Sequence, residues 1–418
     1  MQNQIPNNWQ KVKLEEIVAV SGGGTPSTKE SSYWKGDIAW LTPAEITNYN
    51  NRFIAGTASY ITQSGLNNSS AKIMPQESIL LTSRATIGNV VFNSVPMATN
   101  QGFINIEPVK VNKLFFYYWL KYKKKYLNQI AVGSTFPELT KSVFKKIETN
   151  IPQDIKEQEK IGKFLSSFDD KIELNNKIAK TIEEMADTLF KEWFVKFRFT
   201  GWEKTEFVDS ELGKIPKGWE VIKLEKILKL KHGYAFKGNK FINEKTNNIV
   251  VRMGNFQENN GLQFLNNTVY LKNIDSQNKY LLNPGDIVMI LSDITREGRL
   301  IGNVGIIPND AKSYFLNQRV AKIETDKKYI LYLLNLFTSK EFHQHCLSRA
   351  DSATVLNLKN EHIHDYEIAL PENNIFKKFD ELIEPIMNKK KHIKYENQKL
   401  VEMRDLLLPK LMKGEIRV

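Results

Sequence analysis

Two loops in this chain carry side chains suited to reading nucleic-acid bases. Thr82-Ser83-Arg84-Ala85-Thr86 follows the apolar run Ser78-Ile79-Leu80-Leu81, and Thr295-Arg296-Glu297-Gly298-Arg299 follows Asp286-Ile287-Val288-Met289-Ile290. Arginine is the commonest reader of guanine, asparagine and glutamine read adenine, and lysine mainly neutralises phosphate. Arg84 and Thr86 in the first loop, and Arg296 and Arg299 at the corresponding place in the second, are therefore the first candidates for base contact. Tyr234, Lys237, Arg252 and Arg319 follow them in the second half, and Lys29, Lys35 and Arg52 are expected on phosphate in the first. For each, the plain alternative is a solvated surface charge. Asn100-Gln101 recurs as Asn317-Gln318. Either pair could read adenine, but the recurrence favours a structural turn, because residues that read different sequences should differ. The run Lys121-Tyr122-Lys123-Lys124-Lys125-Tyr126 would track a phosphate backbone or form one solvated helix face.

Catalytic motifs are missing. The sequence has no Walker-type phosphate loop and no His-Glu-x-x-His zinc helix. Neither the Asn-Pro-Pro-Tyr-like motif nor the glycine-rich cofactor loop of amino-methyltransferases occurs. Gly22-Gly23-Gly24 lacks the strand-to-helix entry that a phosphate cradle needs, so a flexible loop is the expectation. His343, His345 and Cys346, with His362 and His364 beyond them, lack a second spaced ligand pair, and no metal is expected there. Catalysis is expected in partner chains.

The elements that position the candidate loops come in duplicate. Ile5-Pro6-Asn7-Asn8-Trp9-Gln10-Lys11-Val12-Lys13-Leu14 is answered by Ile215-Pro216-Lys217-Gly218-Trp219-Glu220-Val221-Ile222-Lys223-Leu224. Ile87-Gly88-Asn89-Val90 returns as Ile301-Gly302-Asn303-Val304, Ser134-Thr135 ahead of Leu139 as Ala353-Thr354 ahead of Leu358, and Pro152 as Pro371. A repeat of roughly two hundred residues means two domains rather than a solenoid. Within each, short apolar runs behind glycine or proline predict buried strands, while Leu114–Leu120 and Tyr329–Leu334 lead into helical patterns.

Each globular half is followed by a long helical pattern. From Ile161 to Trp193 seam residues alternate at spacings of four and three, interrupted by Asn175. From Phe376 to Leu411 the rhythm repeats, interrupted by Asn397. This is the signature of a coiled coil, and a buried asparagine in such a seam sets register at a cost in stability. Pro385 is expected to kink the second helix or delay its start, and Pro409 falls near its end. Phe190, Trp193, Phe194 and Phe197 crowd the end of the first helix with more aromatic surface than a two-helix seam buries. Packing on the next globular domain would explain them; docking of a partner subunit through Phe190, Trp193 and Phe194 is the functional expectation.

Lysine and arginine number 59 against 47 acidic residues, which points to a polyanionic partner. A single cysteine, Cys346, excludes internal disulfides and fits a reducing cytoplasm. No signal-peptide pattern or membrane span is expected. Two similar basic domains joined by paired helices suit a bipartite DNA site, with half-sites about one helical turn, roughly 34 Å, apart.

The pattern resembles the specificity subunit of type I restriction–modification systems over essentially the whole chain. The most specific stretches are Gly24-Thr25-Pro26-Ser27, Tyr33-Trp34-Lys35-Gly36-Asp37-Ile38 with Trp40, and Phe168-Asp169-Asp170-Lys171-Ile172 with Asn175-Asn176-Lys177-Ile178, continuing to Glu184-Met185-Ala186 and Leu189–Phe194. The second half departs from this, with Lys231-His232-Gly233-Tyr234-Ala235-Phe236-Lys237 in place of Gly-Thr-Pro-Ser. The expected fold is α+β: two mixed target recognition domains separated by two long helices in an antiparallel coiled coil. Expected boundaries are 1–151 for the first recognition domain, 152–198 for the central helix, 199–214 for a linker, 215–371 for the second domain and 372–418 for the C-terminal helix. The resemblance implies a non-catalytic chain that binds double-stranded DNA with two methyltransferase (modification) subunits and two restriction-motor subunits. S-adenosylmethionine, ATP and Mg would be held by those partners. A DNA-modifying enzyme with a degenerate site, or a coiled-coil protein adaptor, are the competing expectations.

Overall fold

In the computed structural model the described residues are 6–47, 49, 51–133, 135–242, 244–258, 260–264, 268–272, 278–295, 297–352 and 355–418. The chain divides into two compact units, Met1–Ile178 with His392–Val418, and Ala179–Lys391. Each long helix is shared between the two.

In the first unit a five-stranded sheet runs in the order Val18–Gly22, Phe103–Pro108, Ile79–Thr82, Val90–Asn93, Phe53–Ile54. Strand Ile79–Thr82 is its centre. Ile79 and Leu81 face one cluster with Phe116 and Trp119, whereas Leu80 faces another with Leu41 and Met97. Burial on both faces explains why the strand reads as an unbroken apolar run. A three-stranded sheet, Ser59–Ile61, Trp34–Leu41, Ala98–Thr99, lies beside it in sequence and contains one parallel pair. Helix Lys113–Gln129 starts at Asn112, whose side chain accepts from the Phe115 amide (3.1 Å). Strand Trp9–Lys13 pairs antiparallel with Glu148–Pro152, so the chain start is stitched to the strand that feeds the central helix.

The second unit repeats this plan. Its four-stranded antiparallel sheet has the order Leu228–His232, Val320–Thr325, Ile287–Ile290, Val304–Ile306. A second sheet contains the parallel pair Asn248–Val251 and Ser313–Leu316, and Glu220–Lys223 pairs with Glu367–Leu370 as the first-unit termini do. Residues 199–214, expected as a non-periodic linker, begin with Phe199 stacked on Trp219 (5.4 Å) and continue into the hairpin Phe207–Ser210 with Gly213–Pro216.

The central helix spans Ile155–Phe190 and continues through a wider π-helical turn, Lys191–Val195. The C-terminal helix spans Asn373–Met412 without interruption at Pro385 or Pro409, so the first proline does not delay its start. In the first unit Asp169 meets Arg404 and Asn175 meets Asn397. In the second, Glu183 meets Lys390 and Phe190 meets Phe379. One number rises as the other falls, so the helices pair antiparallel in both. Seam positions are buried or half-buried, whereas Leu174, Met185, Leu382, Tyr395, Met403 and Leu406 off the seam are exposed. Asn175 donates to Asn397 (2.8 Å) and Asn397 to Asn176 (2.9 Å), which satisfies both amides and leaves a slipped register with unpaired ones.

The expected docking role of Phe190, Trp193 and Phe194 is corrected here. All three are under a tenth exposed and lie in the core of the second unit. Phe194 packs against Tyr332 and Phe379 at 4.8 Å, and Trp193 against Phe379 at 5.8 Å. The helix end delivers them into its own unit, where their apolar area is already removed from water.

Candidate nucleic-acid interface

The loops behind the central strands are held by the same backbone bonds in both units. Gly88 (φ +89) and Gly302 (φ +76) take the left-handed conformation that side chains resist. Their amides donate to Thr82 O (3.0 Å) and Ile290 O (3.1 Å). The next residue ties down a neighbouring loop: the Asn89 amide side chain donates to Ile46 O, and that of Asn303 to Gln257 O, both at 2.9 Å. The recurring Ile-Gly-Asn-Val is thus a turn with a built-in clamp. The recurring Asn-Gln opens a turn as well, closed in the second unit by Val320 N donating to Asn317 O (3.0 Å). Its asparagine amide extends the parallel ladder: Asn100 N donates to Leu41 O (2.9 Å) and Asn317 N to Val251 O (3.3 Å). Each lies against a glycine. A Cβ on Gly23 would sit 2.1 Å from Asn100 O, and one on Gly233 2.2 Å from Asn317 O. The triple glycine is therefore a place of close backbone approach, not the flexible loop expected.

Two further bonds complete the frame. Ser83 N donates to Gly102 O (2.7 Å) and Leu139 N to Ser83 O (2.9 Å); in the second unit Leu291 N donates to Arg319 O (3.1 Å) and Leu358 N to Leu291 O (2.8 Å). The matching positions follow directly: Ser83 with Leu291, Arg84 with Ser292, Gly102 with Arg319, and Glu138 with Asn357. Arg84 pairs with Glu138 (2.9 Å), and Ser292 donates to Asn357 (2.7 Å). Arg296 and Arg299 are not the counterparts of Arg84 and Thr86, as the sequence suggested. They belong to a longer stretch, Leu291–Leu300, that replaces Ser83–Thr86 before the Ile-Gly-Asn-Val turn.

The candidates scatter over this frame. Lys29 and Lys35 are exposed, the latter at φ +62 in the irregular start of strand Trp34–Leu41. The side chain of Thr86 turns to Thr47 (3.4 Å). Tyr234 packs on Phe236 and Tyr280, and Lys237 is exposed. Arg299 pairs with Glu258 (2.8 Å); Arg296 lies outside the described residues. Arg52 requires correction. It is 6% exposed and bonded to Ser166, Asp170 and Glu173 of the central helix, so it packs the helix rather than meeting phosphate. Next to it Asp169 is buried, which by itself raises its carboxyl; Lys121, Arg404 and the Tyr118 hydroxyl (2.6 Å) outweigh burial and hold it below the ordinary range. Lys121 is thus turned inward and Lys124 reaches Asn89 (2.6 Å), so the lysine run does not form one solvated face.

The motif stretches of the first unit also come together. Trp34 Nε1 donates to Ser27 O (3.1 Å) and Trp40 Nε1 to Gly24 O (2.9 Å), with the two rings edge to face at 5.0 Å. Thr25 donates to Gln101. Against these stretches stands the comparison with known proteins. The model of the "Type I restriction modification DNA specificity domain" matches residues 6–184 and 216–397, one match on each repeat.

The chain belongs to this family.

The type I restriction enzyme MjaIX specificity subunit of Methanocaldococcus jannaschii is 35% identical over 427 aligned residues, covering 99% of this chain and 95% of the relative. The HindI specificity subunit of Haemophilus influenzae is 25% identical over 70% of this chain and 74% of its own. The crystal structure of a type I restriction-modification S subunit from M. genitalium shares the fold, with a TM-score of 0.57, 15% identity and coverage of 98% and 97%.

Several residues of the two specificity domains escaped the sequence reading. Phe136 is 87% exposed on a turn closed by the reciprocal bonds of Val132 and Glu138 (2.9 Å each). Asp293, fully buried, accepts from Thr295 N (2.8 Å) and Leu300 N (2.6 Å) and so folds the long second loop. The only hint was Asp293-Ile294-Thr295, a common turn-forming pattern. In the second domain a cleft of about 390 Å³ opens beside the Asn-Gln turn, with Phe236, Phe241, Met253 and Arg252 in its wall and Gln318 and Arg319 along it. The histidines do other work: His343 Nδ1 lies 3.1 Å from Ile301 O, and His345 Nε2 lies 2.7 Å from His362 O. No described helix is long and apolar enough to cross a membrane.

Proposed function

We propose that this chain is the DNA-reading subunit of a type I restriction–modification complex, in which each specificity domain reads one half of a split site and the halves differ in sequence. The observation that carries this reading is the frame itself. Identical backbone bonds recur in both domains while the side chains mounted on them change from charged to neutral and from glycine to arginine. A scaffold kept and a surface varied is what two readers of unlike sequences need. The chain contributes recognition and no chemistry of its own. Two methyltransferase subunits would modify adenine with S-adenosylmethionine, and two restriction-motor subunits would cleave DNA with ATP and Mg, in the cytoplasm. With Phe190, Trp193 and Phe194 spent in the core, the exposed apolar face of the C-terminal helix in the first unit (Tyr395, Met403, Leu406) is the better candidate for meeting a methyltransferase subunit.

The test is co-expression of the chain with its candidate methyltransferase subunit, followed by sequencing that maps methylated adenine in the host genome. The reading requires a co-purifying complex and a split motif with two unlike halves and a fixed gap. A chain that forms no complex and directs no split motif would instead be a free-standing DNA binder or a protein adaptor.

A further inference from the structure

We infer that Arg319 is the residue with which the second specificity domain reads a guanine of its half-site; this rests on the function proposed above and adds the residue and the base. Three observations converge on it. First, its backbone is fixed on both sides. Gln318 N donates to Tyr234 O (3.1 Å), Leu291 N to Arg319 O (3.1 Å) and Val320 N to Asn317 O (3.0 Å), so the side chain springs from a rigid turn.

Second, the guanidinium is uncommitted. Arg319 is exposed, and among the described residues no carboxylate lies within ion-pair distance of it. Arg84, Arg299 and Arg52 each hold a carboxylate, so turning any of them to DNA means breaking an ion pair first. Third, the matching position in the first domain is Gly102, where a Cβ would stand 2.7 Å from the Pro43 ring. A side chain is excluded there in one domain and present in the other. The position therefore distinguishes two domains that otherwise share their backbone bonds.

The chemistry follows from the neighbourhood. A guanidinium offers a planar fork of donors that matches O6 and N7 of guanine in the major groove. Phe236 and Phe241 line the same cleft as Arg319. Gln318, the next residue, adds an amide suited to an adjacent adenine.

The test uses the full chain in complex with its methyltransferase subunit and compares methylated motifs for wild type, Arg319→Ala, Arg319→Lys and Arg319→Gln. The wild-type half read by the second domain should contain a guanine at which Arg319→Ala relaxes discrimination by roughly tenfold to a hundredfold. Arg319→Lys should keep part of it and Arg319→Gln should shift it toward adenine, with the other half unchanged in all three. Since Arg319 is a surface side chain, yield of the complex serves as the folding control, and a variant that keeps yield but loses discrimination isolates the reading role. A wild-type split motif that Arg319→Ala leaves intact overturns the assignment alone. So does a uniform fall in methylation at every site without relaxation, which marks a phosphate contact. A wild-type complex with no split motif overturns the proposed function and this assignment with it.

Discussion

Where the first domain has Arg84 bonded to Glu138, the second has Ser292 bonded to Asn357. Where the first has Gly102 beneath Pro43, the second has an exposed Arg319 with no carboxylate partner among the described residues. The peptide groups at these places make the same hydrogen bonds in both. The difference teaches that in this chain architecture and recognition are separable: glycine and asparagine hold the loops, and the positions between them are left to vary. It also shows that the two surfaces are differently poised. The first offers Arg84 already engaged by a carboxylate, and the second offers, beside Arg299 paired with Glu258, an Arg319 with no carboxylate on it among the described residues. On the proposed function, base reading by Arg84 exchanges its ion pair with Glu138 for hydrogen bonds to a base edge, which costs affinity and gains discrimination against a wrong base that does not repay the exchange.

The comparison can be broken most forcefully beneath the loops, where the domains do differ in kind. The first unit ties both long helices to its globular part through buried Asp169 and Tyr118 and half-buried Arg404. Arg404→Ala leaves the Asp169 charge buried with fewer partners and should cost about 3–5 kcal/mol in the first unit. The charge also predicts a pH dependence. The Asp169 carboxyl is held below its ordinary value of 3.8, so its contribution is present above that value and is lost as pH falls through the folded one. Acid unfolding followed by tryptophan fluorescence should show the first unit failing first, and Asp169→Asn should flatten that limb.

The equivalence of the two frames is tested by placing a methyl group where each glycine lies against a carbonyl. Gly23→Ala and Gly233→Ala should each destabilise by about 1–3 kcal/mol, to similar extents, because the backbone must move to admit either Cβ. Calorimetry on the pair decides this. A large cost at one and none at the other would mean that the frames are not the same device.

A smaller contrast concerns Asp380 on the C-terminal helix in the second unit. Burial, with Glu384 beside it, pushes its carboxyl up to about 6. The sign is opposite to that of Asp169: the stabilising contribution is complete at low pH and lost as pH rises through about 6. Asp380→Asn should raise stability at pH 7 by about 1 kcal/mol, the figure being modest because the group is partly solvated. It should change little at pH 4. Smallest of all is the effect of Arg84→Ala on folding, under about 1 kcal/mol for an exposed pair. Thermal unfolding should barely register it, while the methylated motif should change.

Much of the frame was legible because it depends on local chemistry. Gly88 and Gly302 need positive φ, Asn89 and Asn303 act at fixed spacing from them, and the seam asparagines interrupt a strict rhythm. Those are properties a sequence displays. Arg52 read as a phosphate contact because its partners lie more than a hundred positions away, and no periodicity links them. Phe190, Trp193 and Phe194 read either as packing on the next globular domain or as a docking patch, because helical spacing reports a face but not what covers it; the core of the second unit covers them. The pairing of Arg84 with Ser292 was hidden by the longer second loop, which shifts the sequence register while the hydrogen bonds keep theirs. The hairpin Phe207–Ser210 with Gly213–Pro216, which begins inside 199–214, was missed because its strands are only four residues long and their apolar residues do not alternate with polar ones.

The central claim is that one frame, built twice, carries two interchangeable sets of reading side chains. Its most direct test is to give the first domain the neutral pair of the second, Arg84→Ser with Glu138→Asn, and to map the methylated motif of the resulting complex. The account predicts a changed or relaxed base in one half of the motif, with the other half and the gap between them intact. A motif that is unaltered, or that changes in both halves at once, would contradict it.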